Sequence, residues 1–158
     1  MEIRPLASPD LPAVAAVWNP IVRETAITFT SIEKTPEALL AWLEAPGPCL
    51  GLFEGGRLLG FASAHQFRPG PGYARTFEHS INLAPEARGR GLARPLMEAL
   101  IEALRPTEVH SLIGAITASN AASIAFHARL GFAEVGRIPD AGWKFDRFHD
   151  LVLMQKIL

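Results

Sequence analysis

Apolar positions along the chain keep two rhythms. Steps of three and four carry Leu11, Val14, Ala15 and Trp18, which predict a helix over about residues 9–22. Ser8-Pro9-Asp10 in front of them supplies an N-cap with proline at the first helical position. Thr35-Pro36-Glu37 opens a second helix bearing Leu39, Leu40, Trp42 and Leu43. Leu92, Leu96, Leu100 and Leu104 predict a third over residues 91–104, stopped by Pro106. A fourth is capped by Ser119 or Asn120 and ends at Gly131. Shorter runs rich in branched and aromatic residues predict strands at 2–6, 49–53, 57–67, 73–83, 109–117, 132–138 and 149–157. Gly55-Gly56 makes the second and third of these a hairpin. The remainder reads as connections: an extended crossing at 25–30, a loop at 68–72 and a polar loop at 140–147.

The order is strand, two helices, three strands, helix, strand, helix, two strands. It predicts an α+β fold, with a central sheet flanked by helices on both faces. The 158 residues, 49% hydrophobic, show no repeat or linker and fit one domain spanning 1–158. A net charge of -1 and no basic run argue against a nucleic-acid partner. No apolar run is long enough to span a membrane, and Met1-Glu2-Ile3-Arg4-Pro5 lacks the apolar stretch expected of a signal peptide. The single cysteine, Cys49, excludes an internal disulfide and suits a cytoplasmic protein. His65, His79 and His110 lack ligand spacing, so no metal site is expected.

Chemistry enters at Leu83-Ala84-Pro85-Glu86-Ala87-Arg88-Gly89-Arg90-Gly91-Leu92-Ala93, which runs from a strand end into a helix start. Gly89 and Gly91 let successive amides face one point, and the helix start adds free donors and the positive end of its dipole. Ala93 leaves room for a diphosphate, while Arg88 and Arg90 add charge. A glycine-rich loop with solvated arginines is the plainer alternative. No Gly-Lys-Ser/Thr follows, and Arg94 stands where a dinucleotide fingerprint has its third glycine.

Arg88-Gly89-Arg90-Gly91-Leu92-Ala93 resembles the Arg/Gln-x-x-Gly-x-Gly/Ala signature of the GNAT acetyltransferases. The run from Asn120 to Gly131-Phe132 resembles their second element, an Asn opening a helix that ends in Gly-Phe. Within the class, three stretches are similar to the phosphinothricin and methionine sulfoximine N-acetyltransferases: 24–30, 73–81 and 142–150. In the last, Asp146 and Phe148 replace a glycine and a tryptophan, and Gly70 stands where an arginine is usual, with Arg68 keeping a positive charge nearby.

The resemblance implies a GNAT-like fold with a mixed sheet, acetyl-CoA as co-substrate, a small primary amine as acceptor, and a homodimer. It places the cofactor against Ile81, Leu83, Arg88, Gly89, Arg90, Gly91, Leu92, Ala93, Asn120 and Ser123. It carries the catalytic acidic residue onto Glu78, and puts His127 where many relatives have a tyrosine near the cofactor sulfur.

Acetyl transfer must remove a proton from an amine whose reference pKa is about 8, and can return one to a thiolate leaving group. Glu78 suits the first task; His127 suits either task, or a packing role. Amides along Ile81, Asn82 and Leu83 would meet the oxyanion. Phe29, Arg68, Tyr73, Arg75, Lys144 and His149 are the residues expected around the acceptor, an arginine clamping an anionic head group. Two other readings are an acetyltransferase of protein or peptide N-termini and a non-catalytic acyl-CoA-binding module.

Overall fold

The computed structural model describes residues 1–158. The chain runs β1 (Glu2–Pro5), α1 (Leu11–Glu24), α2 (Pro36–Glu44), β2 (Cys49–Glu54), β3 (Arg57–Gln66), β4 (Thr76–Leu83), α3 (Ala93–Leu104), β5 (Ser111–Thr117), α4 (Ala121–Arg129), β6 (Ala133–Lys144) and β7 (Arg147–Ile157). That is the element order the sequence predicts. The seven strands form one mixed sheet in the order β1-β2-β3-β4-β5-β7-β6, and β4 with β5 is its parallel pair.

Both faces are covered, which is why β2 and β3 are buried almost throughout instead of alternating. On one face, Leu11, Val14 and Val17 of α1 and Leu39 of α2 pack on Cys49, Phe53, Leu58 and Phe61. On the other, α3 sets Leu96, Met97, Leu100, Ile101 and Leu104 at helical spacing against Leu52, Ala62, Ala64 and Leu112. Leu130, which caps the end of α4, and Phe132 just beyond it join this cluster.

Local chemistry moves several boundaries. Before α1, residues Ser8–Asp10 form a single 3₁₀ turn, and Asp10, not Ser8, satisfies the turn: its carboxylate accepts from the Ala7 amide and from Arg4. Tyr73 belongs to another 3₁₀ turn, Pro71–Tyr73, so β4 begins at Thr76 and not at 73. Helix α3 begins at Ala93, because Gly89 and Gly91 hold φ of +72° and +75° and cannot be helical.

The largest correction is at 140–147, read from sequence as a polar loop. It is the end of a long β6–β7 hairpin, with Gly142 paired to His149, Trp143 to Phe148 and Lys144 to Arg147. A register break between Ile138 and Gly142 absorbs the loop-like residues: Asp140 sits at φ 52° and its amide donates to the Asp150 carboxylate. The two-residue turn is Phe145-Asp146, both at positive φ. Such turns are usually Asn-Gly or Asp-Gly, so the pattern gave no hairpin signal.

Leu100, fully buried between α3 and the sheet, tests this packing. Leu100→Ala should lower unfolding free energy by about 2–5 kcal/mol, seen as a lower urea midpoint at unchanged slope.

Candidate functional site

The site is made by a ladder that stops. Strands β4 and β5 pair over only Thr76–Glu78 and Ser111–Ile113. Beyond that, β4 stays with β3 to Leu83 and β5 stays with β7 to Thr117, so the sheet opens between them. The next rung would join His79 to Gly114. There the His79 ring lies over Gly114 so closely that a Cβ on the glycine would stand 2.9 Å from Nε2.

Pairing parity fixes what faces the gap. The Phe67 amide donates to the Thr76 carbonyl and the Ala84 amide to the Leu59 carbonyl, so even-numbered residues of β4 bond to β3. Ile81 and Leu83 therefore turn their amides toward the opening. Across it, the Ala118 and Leu158 amides bond the β7 edge and the His110 carbonyl respectively, which turns Ala115 toward β4.

A cavity of about 480 Å³ occupies the opening. Its wall on the α1/α2 side holds Trp18, Trp42, Ser63, His65, Glu78, Ser80, Thr117 and Phe29; from the α4 side come Asn120, Ser123 and His127. Trp18 and Trp42 meet edge to face at 5.3 Å, and both rest on Phe61.

Glu78 lines this cavity opposite His65 in the β3–β4 register, and no side chain or amide of the protein bonds its carboxylate. Burial pushes its pKa above the ordinary carboxylate value. The group is therefore a stronger base than a solvated glutamate, and it stands free for a ligand.

His127 is 2% exposed and engaged at both ring nitrogens. Nδ1 lies 2.7 Å from the Ser123 carbonyl, an acceptor, so Nδ1 carries hydrogen. Nε2 lies 3.1 Å from Nε2 of His79. Burial lowers the pKa of both rings, that of His79 to about 3, with His127 contributing there. With both neutral, His79 Nε2–H donates to His127 Nε2, and His79 Nδ1 is left buried without a partner. Neither ring in that state offers a proton outward.

The glycine-rich loop follows β4 beyond the cavity. No main-chain or side-chain hydrogen bond within the protein uses the amides of Gly89, Arg90, Gly91, Leu92, Ala93 or Arg94 as donors. Open space surrounds both glycines where a Cβ would stand. Six free donors at a helix start fit a diphosphate. Arg88 has no ion-pair partner, whereas Arg90 is bound to Glu54 at 2.8 Å. Asn120 caps α4 by accepting the Ser123 amide, and also lines the cavity.

Of the residues expected around the acceptor, only Phe29 lines the cavity. Lys144 is drawn away: its ammonium donates to the carbonyls of Val22 (2.6 Å) and Thr28 (2.8 Å), and burial lowers its pKa. His149 stacks on Phe29 and its Nε2 donates to the Lys144 carbonyl. Arg75 lies at the far end of β4 beside Glu108. Arg68 rests over the Tyr73 ring on the exposed 68–73 loop, held outside the cavity because Gln66 donates to the carbonyls of Arg68 and Gly70. Hence no lysine or arginine of this chain lines the cavity. Sequence reading missed Trp18 and Trp42, whose helical spacing marks core equally well. It also missed Ser63, His65 and Ser80, whose one signal was polarity at alternate positions of two strands.

The sequence model of the acetyltransferase (GNAT) family matches residues 18–132. The L-methionine sulfoximine/L-methionine sulfone acetyltransferase of Pseudomonas paraeruginosa is 37% identical, covering 98% of this chain and 92% of its own. A Brucella melitensis structure described as ribosomal-protein-alanine N-acetyltransferase superposes with a TM-score of 0.96 at 40% identity, covering 100% of both chains. The yncA protein of Salmonella typhimurium, determined with its cofactor acetyl-CoA, superposes with a TM-score of 0.96 at 35% identity, covering 100% of this chain and 94% of that one. With the split sheet, the free amide cradle and these relatives in agreement, the chain belongs to the GNAT acetyltransferase family.

Proposed function

We propose that this chain transfers the acetyl group of acetyl-CoA to the primary amine of a small amino-acid-like molecule of the methionine sulfoximine or phosphinothricin kind. The observation that carries this reading is the unpartnered Glu78 carboxylate in a small aromatic-walled cavity at the sheet opening, with the free amides of 89–94 beyond it. The acetyl thioester supplies an activated carbonyl. The cradle would hold its diphosphate, Asn120 and Ser123 its arm, and the Ile81 and Leu83 amides would face its acyl end as donors to developing negative charge.

Glu78 takes the proton that keeps the acceptor ammonium from attacking, and releases it toward solvent or the departing sulfur. His127, with both nitrogens engaged, braces α4 against β4 and is not the acid. Phe29, Trp18 and Trp42 shape the acceptor side. Arg68 at the outer loop is the cation of this chain best placed to meet an anionic head group approaching the mouth. An alanine of a protein as acceptor is favoured by the name of the Brucella protein; the small cavity backed by Trp18 and Trp42 favours the small molecule.

We also infer a cytoplasmic homodimer. The free, buried Cys49 thiol suits a reducing compartment. Trp143, Phe145 and Phe148, each more than half exposed at the hairpin tip, make an apolar face suited to a second copy. Light scattering should give twice the chain mass, and Trp143→Ser should shift it toward one.

Steady-state thiol release with a panel of methionine sulfoximine, phosphinothricin, other amino acids and an alanine-initiated peptide tests the acceptor. Turnover of the peptide alone would replace the small-molecule reading, and no turnover with any amine would overturn it. Glu78→Gln should lower kcat/KM by about 10²–10⁴-fold. Wild-type kcat/KM should fall on acidification with a midpoint above the ordinary carboxylate value, a limb the variant lacks.

Stability should move the other way. The folded state holds the Glu78 proton more tightly than the unfolded state, so wild type loses stability as pH rises from the ordinary value through the raised one. Thermal melts at neutral pH should find Glu78→Gln more stable than wild type. Gly91→Val, forced to φ +75°, should cost about 1–3 kcal/mol of strain or deform the cradle. It should raise KM for acetyl-CoA and leave acceptor KM unchanged.

A further inference from the structure

Residues 25–30 form the wall of the cavity that carries Ile27, Thr28 and Phe29, yet they have no regular structure of their own. Their place is set from far along the chain. The Thr117 hydroxyl donates to the Ala26 carbonyl. The Lys144 ammonium, 5% exposed, ties the Thr28 carbonyl to that of Val22 in the last turn of α1. Phe29 is stacked on His149 with centroids 5.7 Å apart, and His149 is bonded back to Lys144. Phe29 lies so close over Gly142 that a Cβ there would come within 2.3–2.6 Å of three ring atoms. Lys144 has no carboxylate partner; its charge-assisted bonds go to two carbonyls that accept from no other donor in the protein.

We infer that the inner face of the β6–β7 hairpin is the positioning device of the acceptor wall, with Lys144 as its pin and Gly142 as the seat of Phe29. The inference deepens the proposed function and rests on it for its kinetic arm. Lys144 and Gly142 touch neither the cavity nor a reacting atom; they act through Phe29 and the 25–30 segment. Because the wall is non-repetitive chain, losing the pin frees it without unravelling a helix or strand. The cofactor cradle lies on the other side of the sheet opening and shares none of these contacts. A displaced wall therefore weakens acceptor capture while leaving acetyl-CoA binding intact.

Lys144→Met keeps the length of the side chain and removes its donors; Gly142→Ala adds one methyl group under Phe29. Each should raise acceptor KM by about tenfold or more, with KM for acetyl-CoA unchanged and kcat at saturating acceptor reduced far less. In a Phe29→Ala background the Gly142→Ala effect should disappear, because the methyl then meets no ring. Hydrogen exchange should show amides of 25–30 opening faster in Lys144→Met while α3 and its preceding loop keep wild-type protection. Parallel loss of acetyl-CoA and acceptor binding, an additive cycle at Phe29 and Gly142, or unchanged exchange over 25–30 would each overturn the inference. If wild type turns over no amine, the proposed function fails, and the exchange measurement still decides the pin.

Discussion

The site depends on one interruption, the end of β4–β5 pairing after three rungs. A parallel pair buried in the middle of a sheet satisfies its amides by continuing, so an opening there leaves polar edges that a ligand can complete. The opening persists because each strand is held on its outer side: β4 by β3 along its whole length, β5 by β7 likewise. At the point of divergence, a stacked pair of neutral imidazoles fills the α4 side of the sheet over Gly114. An apolar pair would pack there too, but would not fix the angle at which α4 crosses β4.

Around that opening the chain divides its labour by the direction of the strand. Adjacent residues of β4 point to opposite faces, so Glu78 enters the aromatic chamber under α1 and α2 while His79 meets α4. The Glu78 carboxylate therefore opens to one side of the sheet, and the Asn120, Ser123 and His127 side chains of the α4 end stand on the other. Burial raises the Glu78 pKa and lowers those of the histidines for the same reason, since both environments disfavour charge. The outcomes differ because carboxylate and imidazole carry charge in opposite protonation states.

The α1/α2 chamber has a rigid back, built by Trp18, Trp42 and Phe61, and a wall of irregular chain at 25–30. The wall is fixed by groups from β5 and the β6–β7 hairpin, 91 to 122 residues away along the chain. Lys144 shows how a charged residue is spent in such a fold: it satisfies two buried carbonyls and gives up contact with solvent. The same hairpin shows its aromatic tip outward, so one element joins the molecular surface to the irregular wall of the cavity.

Element order, the two-sided core and the run of open amides at 89–94 were legible in the chain, because each rests on local rules. Hydrophobic period distinguishes helix from strand, and Gly89 and Gly91 before a helix leave amides free. That Glu78 would stand on the strand leading to that loop was legible too, and the structure turns it into the cavity. Tertiary structure alone decided the rest. Phe145-Asp146 adopts a turn that its residue types do not advertise, so 140–147 became strand. Lys144, His149 and Arg75 are polar residues with no local mark of their partners, and long-range packing sent them to carbonyls, a ring and a carboxylate outside the cavity. The chain specifies which backbone groups lie open, while the meeting of distant strands decides which side chains reach them.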